Sequence, residues 1–103
     1  MKKVINGKLY NTETAKEIAY DEAGCGSNDF NYYCETLYIT KSKNFFLAGE
    51  GHAMSRWAQS CGTSSWGWGS NIEPLTKEEA LAWCERANVS AEIISEHFTI
   101  IDA

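Results

Sequence analysis

Cys34-Glu35-Thr36-Leu37-Tyr38-Ile39-Thr40-Lys41-Ser42-Lys43-Asn44-Phe45-Phe46-Leu47-Ala48-Gly49-Glu50-Gly51 decides the fold of this 103-residue chain. Residues 32–40 are rich in β-branched and aromatic side chains. Thr36, Tyr38 and Thr40 alternate with Leu37 and Ile39, the period-2 pattern of a strand with two different faces. Lys41-Ser42-Lys43-Asn44 is a polar turn, and residues 45–48 form the return strand. Gly49 and Gly51 are expected to end that strand and let the chain turn sharply into a helix over about residues 52–60. In that helix Ala53, Met54, Trp57 and Ala58 would share one face.

The reading extends outward from this hairpin. Towards the N-terminus, Val4-Ile5, Asn6-Gly7 and Leu9-Tyr10 form a second hairpin signal, because Asn-Gly supplies the positive φ angles of a type I′ turn. Asn11 or Thr12 can cap a short helix with Ala15, Ile18 and Ala19 on its apolar side. Residues 24–29 read as a loop and residues 62–70 as a connection carrying Trp66 and Trp68. Asn71, Ile72 and Glu73 suit a short strand that Pro74 confines to an edge. Thr76 with Glu79 is a capping box, opening a helix with Ala80, Leu81, Cys84 and Ala87 on one side. Asn88 stops it, and Ser90 caps a second helix with Ile93, Ile94 and Phe98 as its stripe. Ile100 and Ile101 are placed to pack or to form a last strand. The expectation is one domain over residues 1–103, of α+β class. It would hold an antiparallel sheet of four to five strands with three to four helices packed on it.

Charge narrows the function. The net charge is −5, which disfavours direct binding to nucleic acid and suits a basic partner surface. Residues 1–72 carry seven charges of each sign, whereas residues 73–102 carry seven carboxylates against Lys77 and Arg86. No run approaches the length of a membrane-spanning helix, and Met1-Lys2-Lys3 is not followed by the apolar stretch of a leader. Free thiols in a reducing cytoplasm are therefore expected for Cys25, Cys34, Cys61 and Cys84.

Catalytic signatures are missing. The cysteines lack the close pairing of zinc ligands, there being no Cys-x-x-Cys. No Gly-x-Ser-x-Gly elbow is present to present a nucleophile. Gly49-Glu50-Gly51 lacks the Lys-Ser/Thr of a phosphate loop, and Glu50 would repel phosphate. His97 near a helix end reads as a dipole contact. Neither metal nor cofactor nor catalytic residue is expected, and the chain reads as a non-enzyme. The positive signals are Trp66 and Trp68 on a small-residue loop, one expected to pack against the sheet and one to stand exposed. With them come the carboxylates Glu73, Glu78, Glu79, Glu85, Glu92 and Glu96. Together these eight form the candidate partner-binding set.

Several stretches resemble a known group. Residues 5–15 (Ile5-Asn6-Gly7-Lys8-Leu9-Tyr10-Asn11-Thr12-Glu13-Thr14-Ala15), Cys34-Glu35-Thr36-Leu37-Tyr38, Asn44-Phe45-Phe46-Leu47 and Gly49-Glu50-Gly51 carry the resemblance. Pro74-Leu75-Thr76 and Glu78-Glu79-Ala80 continue it. The group consists of small accessory proteins of phages and mobile elements from Gram-positive and gut bacteria, and includes anti-CRISPR-like inhibitors. It has a glycine at the place of His52 and lacks the Trp-Gly-Trp loop. The resemblance implies a host-defence antagonist in the bacterial cytoplasm, a monomer or homodimer. Such a protein would bind the basic surface of a CRISPR effector and occlude its nucleic-acid site, touching neither nucleic acid nor membrane itself. The alternative is a non-enzymatic adaptor or assembly module of a phage or mobile element that dimerises through a sheet edge or its C-terminal helices.

Overall fold

The computed structural model describes residues 1–24, 30–60 and 66–103. Its frame is a four-stranded antiparallel sheet in the order β3-β4-β5-β8: β3 Lys16–Ala23, β4 Tyr33–Ile39, β5 Phe45–Gly51 and β8 Gly69–Leu75. The central pair is the hairpin legible in residues 34–51, with Leu37 opposite Leu47 and Tyr38 opposite Phe46. Lys43 takes a positive φ of 68° in its turn. A separate hairpin, β1 Lys2–Ile5 and β2 Lys8–Asn11, turns through Asn6 and Gly7 with φ of 52° and 76°. Those are the left-handed angles that the Asn-Gly pair predicts. A two-residue pairing joins β6 Gln59–Ser60 to β7 Trp66–Gly67.

Strand alternation divides the sheet into two faces with separate cores. On one face Leu37, Phe45, Leu47 and Ile18 pack with Trp57 and with Ala80, Trp83 and Cys84 of α1 (Lys77–Arg86). Phe98 follows α2 (Ala91–His97) and stacks on Phe45 at 5.1 Å. On the other face Phe46 and Ile72 are covered by Tyr10 of the β1–β2 hairpin. Tyr10 meets Phe46 edge-on at 5.4 Å, and Tyr38 stacks on Phe46 at 5.2 Å. Each buried aromatic of this kind contributes roughly 1.5–3 kcal/mol of transfer free energy.

Two expected helices are corrected. Residues 11–15 form a turn, with the Asn11 side chain accepting from the backbone of Glu13 and the Asn11 carbonyl accepting from Ala15. The chain then runs straight into β3, where Ile18 is buried beside an irregularity in the β4 register. Residues 52–58 form successive turns. The Ser55 hydroxyl donates to the His52 carbonyl and accepts from the Trp57 amide, bonds that compete with a helical ladder. The described residues therefore hold two helices, not three or four. The other two were expected from apolar spacings only five or six residues long, over which helix and strand periods are not distinguishable.

The role of the glycines is corrected as well. The strand continues through Gly49 and Gly51. A Cβ on Gly49 would fall 2.1 Å from the Trp57 ring, and one on Gly51 would fall 2.2 Å from the Ser55 hydroxyl. The two glycines are gaps in the sheet face into which the 52–58 segment settles. Ile100 and Ile101 are exposed and form no strand.

Both α-helix starts conform to expectation. Thr76 accepts from the Glu79 amide while Glu79 bonds back to the Thr76 amide, and Ser90 accepts from Ile93. Asn88, with a φ of 56°, follows the Ala87 cap.

Candidate protein-interaction surface

The most heavily bonded side chain on the helix-covered face is Glu35. Strand alternation turns it inward with Leu37, and only 6% of the residue is exposed. A carboxylate in that position needs donors. The Trp57 indole donates at 2.7 Å, the Trp83 indole at 2.8 Å and Arg56 Nε at 2.9 Å. Burial pushes the carboxyl up, but the bonds from Trp83, Arg56 and Trp57 and the charge of Arg56 outweigh it and hold Glu35 below its ordinary range. Arg56 also donates to Glu73 at 3.1 Å and lies over the Trp57 ring at 4.4 Å. Every donor is long-range in sequence. One carboxylate thus ties β4 to α1 and to the 52–58 segment, which fixes the chain on its way to Trp66 and Trp68.

On the opposite face the described cover is the β1–β2 hairpin. The β1–β2 hairpin sits over Phe46 and Ile72, and beyond that cover the sheet presents polar and aromatic side chains. Glu22, Cys34, Glu50 and Ser70 form one row across the four strands. The Tyr20 and Tyr32 hydroxyls both donate to the same Glu22 oxygen, at 2.8 and 3.2 Å. The Cys34 thiol donates to Glu50 at 3.5 Å. Trp68 stacks on Tyr32 at 5.8 Å with the rings 22° apart, and His52 lies edge-on to Trp68 and to Phe30. Burial and then the charge of Glu50 push the Cys34 thiol up. The hydrogen bond to Glu22 and then burial push Tyr20 far above its usual range.

The predicted contact residues fall into three places. Trp66 and Trp68 are both exposed, at 61% and 40%, which corrects the expectation that one would pack away. Trp66 borders the 53–58 segment beside Met54 and Arg56, whereas Trp68 belongs to the opposite sheet face. Glu73 is turned to the helix side and paired with Arg56. Glu78, Glu79, Glu85, Glu92 and Glu96 are exposed on α1 and α2, and Glu79 is also engaged in the capping box. The helical carboxylates and Trp68 thus lie on opposite sides of the sheet and do not form one patch. Cys25 and Cys61 lie outside the described residues. Cys84 is buried in α1, as its apolar position implied.

Glu22, Tyr20 and Tyr32 were not singled out in the sequence, and Glu50 only as a residue that would repel phosphate. Tyr20 and Glu22 alternate in β3, Tyr32 just precedes β4 and Glu50 lies in β5, so they become a cluster only when the strands pair. Among the described residues no group of three or more His, Cys, Asp or Glu side chains is placed to hold a metal ion. Among the described residues no helix is long and apolar enough to cross a membrane. Comparison with protein-family models, with curated proteins and with solved structures finds no match.

Proposed function

We propose that this chain is a non-enzymatic inhibitor of the anti-CRISPR type. It binds the basic surface of a CRISPR effector in the bacterial cytoplasm and blocks access of nucleic acid. The observation that carries the reading is uncompensated negative charge on the helix side of the sheet. Glu78, Glu85 and Glu92 stand in solvent on α1 and α2, and none pairs with a lysine or arginine among the described residues. A surface of that kind repels nucleic acid and steers towards a cationic groove, gaining association rate and specificity more than raw affinity. Trp66 and Trp68 supply large, stiff contact area at low entropic cost. The resemblance to phage and mobile-element accessory proteins supplies the class of partner.

A pull-down against a panel of CRISPR effectors, each with and without guide and DNA, tests this. Retention of one dominant effector is expected, weakened when DNA occupies it. Equal retention of all effectors or of none defeats the proposal.

Among the described residues β3 and β8 are the edge strands of the sheet, each paired on one side, which favours an adaptor that dimerises edge to edge as the second reading. Light scattering separates them, since the adaptor requires a dimer at working concentration.

A further inference from the structure

We infer that the recess along the 52–58 segment, between Trp66 and Arg86, receives a partner segment carrying a carboxylate beside a large apolar side chain. The inference deepens the reading of the chain as a protein-binding inhibitor and rests on it. It adds one position at which a generally basic partner must be acidic.

The recess consists of two hollows. One, of about 420 Å³, is lined by Tyr33, Glu35, Met54, Arg56 and Arg86. The other, of about 290 Å³, is lined by Ala53, Met54, Ala58 and Trp66. The two share Met54, Ser55 and Arg56. Met54 is 70% exposed and Trp66 61%, large apolar side chains left in solvent on either side of the shared wall. The two arginines of the chain, 56 and 86, both stand here, with its one methionine besides Met1. Protein interfaces are enriched in Trp, Tyr, Met and Arg and depleted in Lys and Glu, which dominate the rest of this surface.

Charge complementarity selects the occupant. Both oxygens of Glu35 already accept from Trp57, Trp83 and Arg56, so Glu35 has its countercharge within the chain. Arg56 is divided between Glu35 and Glu73 and held over the Trp57 ring, yet its side chain is still 51% exposed. Such a guanidinium is fixed before a partner arrives, which lowers the entropic cost of binding. Arg86 is exposed and makes no ion pair among the described residues. Burial and then Asp21 and Glu35 push the Tyr33 hydroxyl up, while Arg56 and Arg86 both pull it down, so the two guanidiniums act on one hydroxyl. One uncommitted cation beside a shared one suits the single charge of a carboxylate, which a guanidinium grips with two parallel bonds. An all-apolar segment would cover Arg86 without a countercharge, and a basic one would set a cation against two guanidiniums. The acidic helices steer the partner in, and the arginines fix its register.

The test selects peptides from a displayed library of random dodecapeptides on the full chain and measures the affinity of the recovered sequences by fluorescence polarisation. Recovered peptides are expected to carry Asp or Glu close to Trp, Phe, Leu or Met. Arg86→Ala, Met54→Ser and Trp66→Ser should each weaken them about tenfold or more, whereas Trp68→Ser and Glu78→Gln/Glu85→Gln/Glu92→Gln change affinity less than about twofold. Replacing the peptide carboxylate by its amide should cost about tenfold on the wild type and less than about twofold on Arg86→Ala, since the lost pair is then the same. Arg56 is left in place because it bonds the buried Glu35. Unchanged circular dichroism and melting temperature confirm that the variants remain folded. Recovery of no common sequence, recovery of basic peptides lost on the helical triple variant, or binding indifferent to Arg86→Ala overturns the inference. So does a homodimer in light scattering that Arg86→Glu dissociates, which assigns the recess to a second copy. The effector panel and the peptide selection fail separately. A chain that captures no effector yet binds acidic, apolar peptides through Arg86 loses the CRISPR reading and keeps the recess. One that captures an effector but selects no such peptide loses the recess alone.

Discussion

Glu35 shows at the scale of one residue why a buried charge is tolerated here. Three donors from distant parts of the chain converge on its two oxygens. Removing the charge leaves the indoles of Trp57 and Trp83 facing a weaker acceptor, and removing the side chain leaves them unsatisfied. Glu35→Gln is expected to cost about 2–3 kcal/mol and Glu35→Ala about 3–5 kcal/mol, measured by urea unfolding. Both should alter the fluorescence of those tryptophans. Gly49 is the other sensitive residue. Gly49→Ala places a methyl inside the Trp57 ring, and the ring cannot retreat without breaking its bond to Glu35. A loss of about 1–3 kcal/mol is expected, with a melting temperature lower by at least about 4 °C. Relief of the clash by Trp57→Ala in the same chain would be seen as non-additivity in a double-mutant cycle.

Elements differ in how local their causes are. The α1 start is local: Thr76 and Glu79 are three residues apart and satisfy each other's backbone donors. Thr76→Ala should therefore cost about 1 kcal/mol without disturbing the sheet, readable as a lower denaturant midpoint with an unchanged slope. The Asn-Gly turn of the first hairpin is local in the same sense. β3 and the 52–58 segment have non-local causes. Ala15, Ile18 and Ala19 carry spacing compatible with a helix, but pairing with β4 claims the backbone of residues 16–23. Residues 52–58 carry an apolar face of helical spacing. Trp57, however, finds a deeper position over Gly49, where its ring is buried and its indole reaches Glu35. Burial and one strong acceptor outweigh a single isolated helical turn, which is marginal in water.

The whole molecule has two chemically different sides joined by one sheet. The helix side carries a closed ionic network around Glu35 and an acidic outer surface. The other side carries the β1–β2 hairpin over Phe46 and Ile72 and, beyond it, the Glu22–Cys34–Glu50 row with the Tyr32–Trp68 stack. Acid stability follows from the closed network. Glu35 has a folded-state pKa below its ordinary value of 4.5. Its contribution is therefore complete above the unfolded value and is lost as pH falls through the folded one. Wild-type stability should drop below about pH 4.5, and the Glu35→Gln chain should show a shallower drop across the same window in parallel urea titrations.

The sequence by itself determined the two hairpins, the capped helices, the antiparallel α+β class and the excess of carboxylates. Each depends on residues close together along the chain: a period of two, an Asn-Gly pair, a capping box, a count of charges. Tertiary structure alone decided that Gly49 and Gly51 receive Trp57 and Ser55. It also decided that Glu35 gathers Trp57, Trp83 and Arg56, and that Glu22, Cys34 and Glu50 stand in one row across three strands. Those are meetings of residues far apart along the chain, fixed by strand register and by which face each side chain occupies. Register is selected by burial of the whole sheet, a free energy that no short stretch of sequence contains.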